Sequence, residues 1–193
     1  MFTFIPHLNL LSLFSLEELI VIIVRLVGAL PVLKWAFAGA IIAILVDLSD
    51  LFIIGNLQLG GVRDYQSLDK ALDLAYMLTF LIVVLKWEDG WERRIALILF
   101  IYRCIGFIVF EFTDARIILF IFPNVFETWF LFIAGKKLIK PTNKLSLKGS
   151  ILLFPFPLIL KLLQEYILHW GKLLDKYKMG DALSVIKDIF KIF

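Results

Sequence analysis

The chain has 193 residues, of which 61% are hydrophobic, and its mean hydropathy is +0.93. A soluble domain is close to half apolar, so this composition excludes an ordinary soluble protein and indicates contact with lipid. The single cysteine, Cys104, excludes an internal disulfide and a thiolate metal cluster, and His7 and His169 have no ligand spacing. Any bound metal is therefore expected to have oxygen ligands.

The N-terminal part of the chain predicts a short membrane helix over residues 16–30. Residues 1–15 contain no lysine or arginine, so we do not predict a secretory signal there. Ser15, followed by two glutamates, is typical of a helix start, and Pro31 ends the apolar run. Fifteen residues rise only about 22 Å, so the segment is either a tilted short span or an interfacial helix.

Four longer apolar segments predict a core of four transmembrane helices, and the predicted fold is an all-α integral membrane protein. The segments cover residues 35–54, 68–87, 93–110 and 117–134. In the first segment one face carries small residues and then becomes acidic, in the order Ala36, Ala40, Ala43, Asp47 and Asp50. Because small residues let a neighbouring helix approach closely, we expect this face to look into the bundle.

Four aspartates lie where the first core segment ends and the second begins. They are Asp47, Asp50, Asp69 and Asp73. An ionised group inside a membrane is costly and usually has a task. Carboxylates from two helices suit a hard cation such as Mg²⁺, so these four residues are the predicted metal ligands. They also suit a proton relay or a small polar ligand. In a third interpretation they pair with an arginine and only hold helices together.

Three further polar residues fall near mid-membrane and complete the predicted ligand or cation site. They are Arg103, Asn124 and Glu127. Arginine cannot shed its proton, so we predict that Arg103 faces the bundle and bonds Glu127, Asp73 or Asp47. Pro123 predicts a kink, beside which Asn124 and Glu127 share a face. The predicted site contains one arginine, Arg103, and five acidic residues. This excess of negative charge favours binding of a cation or proton over an anion.

The spacing of the aspartates resembles part of a known signature. Asp47 and Asp50 form D-x-x-D, eighteen residues follow, and Asp69 and Asp73 form D-x-x-x-D. This is similar to the acidic half of the CDP-alcohol phosphotransferase signature, although Leu51 stands where that family has a glycine. The resemblance implies a divalent-metal-dependent phosphotransferase that acts on lipid.

The distribution of basic residues predicts an orientation in the membrane. Nine lysines and arginines flank one set of ends of the four core segments and three flank the other. The positive-inside rule then places the 135–150 loop in the cytoplasm and the 56–66 loop on the other side. The five lysines between Lys136 and Lys148 also allow contact with anionic lipid headgroups.

The C-terminal part predicts a separate region. We divide the chain into a helical membrane domain, residues 1–150, and amphipathic membrane-associated helices, residues 151–193. Apolar residues recur at four-three spacing over residues 159–179, which predicts a helix on the membrane surface or one that docks a partner helix. A kinked further span is the alternative. The lysines have no interleaved aromatic residues, so we expect the lipid bilayer as a partner and no nucleic acid.

Overall fold

The computed structural model of the chain describes residues 14–50, 53–54, 62–63, 65–113, 115 and 117–165. All regular elements in this part are helices, which confirms the all-α prediction. The chain divides into two compact units, Met1–Val83 and Val84–Phe193. The predicted division after residue 150 concerns membrane association and stays a prediction.

The first helix, α1, spans Leu16–Ala29 and begins at a capping box. The Ser15 hydroxyl accepts from the backbone N–H of Glu18 at 3.1 Å, and the Glu18 carboxylate accepts from the backbone N–H of Ser15 at 2.8 Å. These bonds satisfy two donors that a helix start leaves open, which confirms the predicted start. A 3-10 turn over Leu30–Leu33 follows and contains Pro31 near its start.

Helix α2, Ala36–Leu48, packs closely against α1 and the 3-10 turn. Gly39 lies so near the backbone of this turn that a Cβ there would come within 2.3 Å of the Val32 nitrogen. A Cβ on Gly28 of α1 would likewise come within 2.8 Å of the Val46 side chain. Ala40 and Ala43 are buried on the same face, which confirms the predicted small-residue contact. Asp50 and residues 53–54 are again helical beyond a turn at Ser49.

Helix α3 spans Tyr65–Leu85, close to the predicted segment. It presents one face with Asp69 and Asp73 near its start and Tyr76 and Phe80 further along. The two aromatic residues are 4% and 0% exposed, and their rings meet edge to face at 5.4 Å. The aromatic part of this face is therefore buried in the unit.

The second unit is built on the 23-residue helix α4, Trp91–Thr113. The predicted fourth segment is two helices, α5 at Ile117–Ile121 and α6 at Val125–Ile139, because Pro123 interrupts it. Both pack on α4. The core of this unit is aromatic: Phe126, Trp129 and Phe130 are each 0% exposed.

Two further helices follow, α7 at Leu147–Leu153 and α8 at Pro155–Glu165, with only Phe154 between them. Helix α8 packs against α6. The stretch Leu147–Gln164 and helix α4 are long and apolar enough to cross a membrane, by length and composition. The predicted surface helix over residues 159–179 extends beyond the described residues and stays a prediction.

Candidate functional site

In the first unit, the Arg25 guanidinium contacts all four predicted aspartates. Nε donates to Asp50 Oδ2 at 2.8 Å, and Nη2 donates to Asp69 Oδ1 at 2.5 Å. Nη1 donates to Asp73 Oδ1 at 3.2 Å and also contacts Asp47 Oδ1. The Arg25 side chain is 2% exposed. One buried cation thus binds carboxylates from both ends of the acidic stretch. We call these five residues the Arg25 cluster.

The Arg25 cluster corrects the charge count made from the sequence. That count set one arginine, Arg103, against the acids and left Arg25 out. Arg25 follows Glu18 by one heptad, so the two residues share a face of α1, and both are buried. The signal that could have found it is a lone cation within an apolar helix, which must find acceptors. The cluster itself still has four carboxylates for one guanidinium.

The four aspartates differ in their access to solvent. Asp50 is almost completely buried, with its side chain 1% exposed, whereas Asp47, Asp69 and Asp73 are 21%, 35% and 15% exposed. These last three each offer an oxygen within 4.8 Å of the others, a spacing that could hold a metal ion. Hard cations bind oxygen ligands at about 2.0–2.6 Å, so the three carboxylates fit one side of such a site.

A second ion pair, between Glu18 and Arg63, lies next to the start of α3. Glu18 Oε1 accepts from the Arg63 backbone N–H at 3.0 Å, and Glu18 Oε2 accepts from Arg63 Nη2 at 3.1 Å. Glu18 is 5% exposed, and it also forms the capping box of α1. One carboxylate therefore holds the start of α1 and Arg63, which lies two residues before α3.

In the second unit, Arg103 and its neighbour Tyr102 lie at the break between α5 and α6. Tyr102 donates its hydroxyl proton to the carbonyl of Ile121 at 2.5 Å, and Arg103 Nη1 donates to the carbonyl of Phe122. The Arg103 guanidinium also lies 4.4 Å from the Phe107 ring centre. The proline break frees backbone carbonyls, and these two side chains satisfy them. Whether Arg103 bonds Glu127 stays a prediction.

The N-terminus of α6 carries a buried charge pair. The Lys161 ammonium lies 3.4 Å from Glu127 Oε2, with residue exposures of 5% and 2%. The Asn124 side-chain amide donates to the same oxygen at 3.1 Å, and Asn124 Oδ1 accepts from the Glu127 backbone N–H at 3.4 Å. Asn124 and Glu127 are therefore brought together as predicted. The sequence analysis did not identify Lys161 as a partner of Glu127, because a lysine within an amphipathic pattern is ordinarily assigned to the solvent-exposed face.

Among the residues described in this unit, acidic side chains contact three of the five loop lysines. Lys136 contacts Glu92 Oε1 and Lys137 binds Glu92 Oε2 at 3.1 Å, while Glu92 also accepts from the Leu145 backbone N–H at 2.9 Å. Lys144 binds Glu88 at 2.7 Å. Glu92 itself is 5% exposed. These contacts give the lysines a structural task in addition to the predicted orientation and lipid contact, both of which stay predictions.

Comparisons of the chain with protein-family models, with curated proteins and with solved structures found no match. The phosphotransferase resemblance therefore depends on the spacing of Asp47, Asp50, Asp69 and Asp73 alone and stays a prediction.

Proposed function

We propose that the chain is a multi-pass helical membrane protein whose Arg25 cluster binds a hard divalent cation such as Mg²⁺. The carboxylates of the Arg25 cluster are the proposed ligands of the cation. The exposed apolar faces of the helices support the location in a membrane.

The case for the membrane is the apolar surface of α4 and of the α7–α8 stretch. Along one stripe of α4, Ile98, Ile101, Ile105 and Ile108 are between 46% and 63% exposed. Leu152, Phe156 and Ile159 are 61% to 76% exposed in the second stretch. Soluble monomers rarely expose continuous apolar patches of this kind, whereas hydrocarbon covers them at no cost.

The observation that carries the cation site is the convergence of Asp47, Asp69 and Asp73. Each is partly exposed, and their oxygens lie within 4.8 Å of one another. With the buried Asp50, the cluster places four carboxylates around a single guanidinium. This excess of carboxylates favours a second positive charge, and oxygen-only ligands select a hard cation over a soft one.

Binding of Mn²⁺ to the purified protein in detergent micelles tests the cation site, since Mn²⁺ is detectable by electron paramagnetic resonance and accepts the same ligands as Mg²⁺. We expect saturable binding that Mg²⁺ displaces. Asp73→Asn should weaken it about tenfold or more, because one anionic ligand is lost. Asp89→Asn is the matched control, since Asp89 is exposed and pairs with Arg94 outside the cluster. Equal affinities for the two variants, or an absence of binding, would contradict the proposal.

The orientation is tested by labelling with a membrane-impermeant thiol reagent in intact cells. In a Cys104→Ser background we expect a cysteine introduced by Gly60→Cys to react and one introduced by Lys144→Cys to stay unlabelled until the cells are opened. The reverse pattern would invert the orientation, and labelling of both positions or of neither in intact cells would contradict the proposed topology.

A structural role is the second candidate, and it has its own supporting observation. Arg25 already contacts all four aspartates and is itself buried, an arrangement that ties α1, the end of α2 and α3 together. A protein of this kind would serve as an accessory subunit of a membrane complex, with charges that only hold helices. In that case Mn²⁺ would not bind, and substitutions in the cluster would change stability alone.

A further inference from the structure

We propose that Arg25 is a built-in competitor of the cation: a divalent ion that enters the Arg25 cluster displaces the guanidinium from Asp47, Asp69 and Asp73, and Asp50 retains it. This inference depends on the proposed cation site and describes how that site is regulated from within.

The competition follows from the shared ligands. The guanidinium nitrogens Nη1 and Nη2 contact Asp47, Asp69 and Asp73, the same three side chains whose oxygens are close enough to hold an ion. A cation bound at about 2.0–2.6 Å from these oxygens would lie beside the guanidinium, where like charges repel strongly. The two cations therefore exclude each other from the three carboxylates.

Asp50 differs from the other three aspartates in its burial and in the guanidinium nitrogen that it binds, and both differences suit a residue that retains Arg25. It binds Arg25 through Nε, at 2.8 Å, and not through the nitrogens that the other aspartates share. Its side chain is 1% exposed, and its Oδ1 is buried without a hydrogen bond from any residue that the structure describes. Within the Arg25 cluster, Asp50 Oδ1 is thus a buried acceptor for which the described part of the chain supplies no donor.

Asp50 Oδ1 is an acceptor that the displaced guanidinium can bind. A carboxylate accepts two parallel N–H bonds from one arginine, so Asp50 Oδ1 can receive the nitrogen that leaves the other aspartates. The displaced Arg25 then keeps one full counter-charge. A buried charge that loses its partner is costly, and this arrangement avoids that cost. It also explains why the cluster holds four acids although three suffice as ligands.

The first test replaces the guanidinium without changing charge. Arg25→Lys keeps one positive charge, but an ammonium cannot span the same carboxylates as a planar fork. We expect the variant to bind Mn²⁺ about tenfold more tightly than the wild type, because the competitor is weakened while the total charge is constant. A variant that binds equally or more weakly would overturn the inference and leave the cation site standing.

The second test asks whether Asp50 acts through Arg25. Asp50→Asn alone should weaken Mn²⁺ binding, because the guanidinium then competes for the remaining three carboxylates with no retained partner. In an Arg25→Gln background the same substitution should change the affinity much less. A double-mutant cycle measures this coupling. Equal effects of Asp50→Asn in both backgrounds would identify Asp50 as an ordinary ligand or a remote charge and overturn the inference.

The outcomes separate the two proposals. If the wild type does not bind Mn²⁺, the proposed function is wrong. If the wild type binds and the cycle is additive, only the competition is wrong. Size-exclusion profiles and thermal unfolding in detergent identify folded variants. Where Arg25→Gln alone does not fold, the Arg25→Lys variant decides the competition, because it keeps the charge of the cluster.

Discussion

Arg25 of α1 and Asp50, two residues beyond the end of α2, form a buried ion pair, with Nε and Oδ2 separated by 2.8 Å and side-chain exposures of 2% and 1%. Neither group has ready access to water. Each is therefore stabilised mainly by the other and, for Arg25, by the three half-buried aspartates.

Replacing Arg25 with leucine should destabilise the first unit more than any exchange of a single surface charge. The substitution leaves Asp50 buried without its cation, and losing one member of a buried pair costs roughly 3–5 kcal/mol. Arg25→Leu/Asp50→Leu should recover part of the loss because no uncompensated charge then remains between these positions. Thermal unfolding in one detergent compares the variants, and a double variant less stable than Arg25→Leu would contradict this account.

The same reasoning applies to the Lys161–Glu127 pair of the second unit. Lys161→Met removes the ammonium beside a carboxylate that is 2% exposed, so we expect a loss of roughly 3 kcal/mol. Adding Glu127→Gln should recover part of it and keep an oxygen for the Asn124 amide. Lys140→Met is the control, since Lys140 is exposed. Equal unfolding temperatures of Lys140→Met and Lys161→Met would show that the Lys161–Glu127 pair contributes nothing to the stability of the unit.

Gly39→Ala should disrupt the contact between α2 and the 3-10 turn. The new Cβ would come within 2.3–2.5 Å of backbone atoms of Pro31 and Val32, which cannot move aside as a flexible side chain would. Overpacking of this kind costs roughly 1–3 kcal/mol. Gly90→Ala is the matched control, because the nearest atom to its Cβ is 4.0 Å away. Equal unfolding temperatures of the two variants would show that α2 shifts freely.

Glu92 should hold the segment between α6 and α7 in place. Glu92→Gln removes the charge that binds Lys136 and Lys137 and weakens the bond from Leu145, at a cost of roughly 1–3 kcal/mol. We expect faster proteolysis at the loop lysines. Glu88→Gln is the control: hydrogen bonding and charge from Lys144 lower the pKa of the Glu88 carboxyl, but this pair is exposed and contributes little. Equal cleavage rates would contradict the assignment.

Helix starts, helix breaks and helix faces were predictable from the sequence, because they depend on residues close together along the chain. The Ser15 start of α1 was predicted, because a capping box needs only a hydroxyl and a glutamate three residues on. So was the interruption at Pro123, where Asn124 caps the helix that follows. The inward face of Ala40 and Ala43 followed from residue size.

The partners of the buried charges were not predictable in the same way. Depth along a span suggested Arg103 for the aspartates, whereas Arg25 contacts all four. A helical pattern states which residues share a face but not which helix that face meets. Lys161 shows the same limit, because a lysine on an amphipathic segment is assigned to water unless a buried acid such as Glu127 is known to lie opposite.

The most direct test of the account is a structure of the wild-type protein crystallised from detergent or lipid and soaked in Mn²⁺, with anomalous scattering recorded to locate the metal. We predict an anomalous peak bound by Asp47, Asp69 and Asp73, with the Arg25 guanidinium turned onto both oxygens of Asp50. A map with no peak at these residues, and with Arg25 still in contact with all four aspartates, would contradict it.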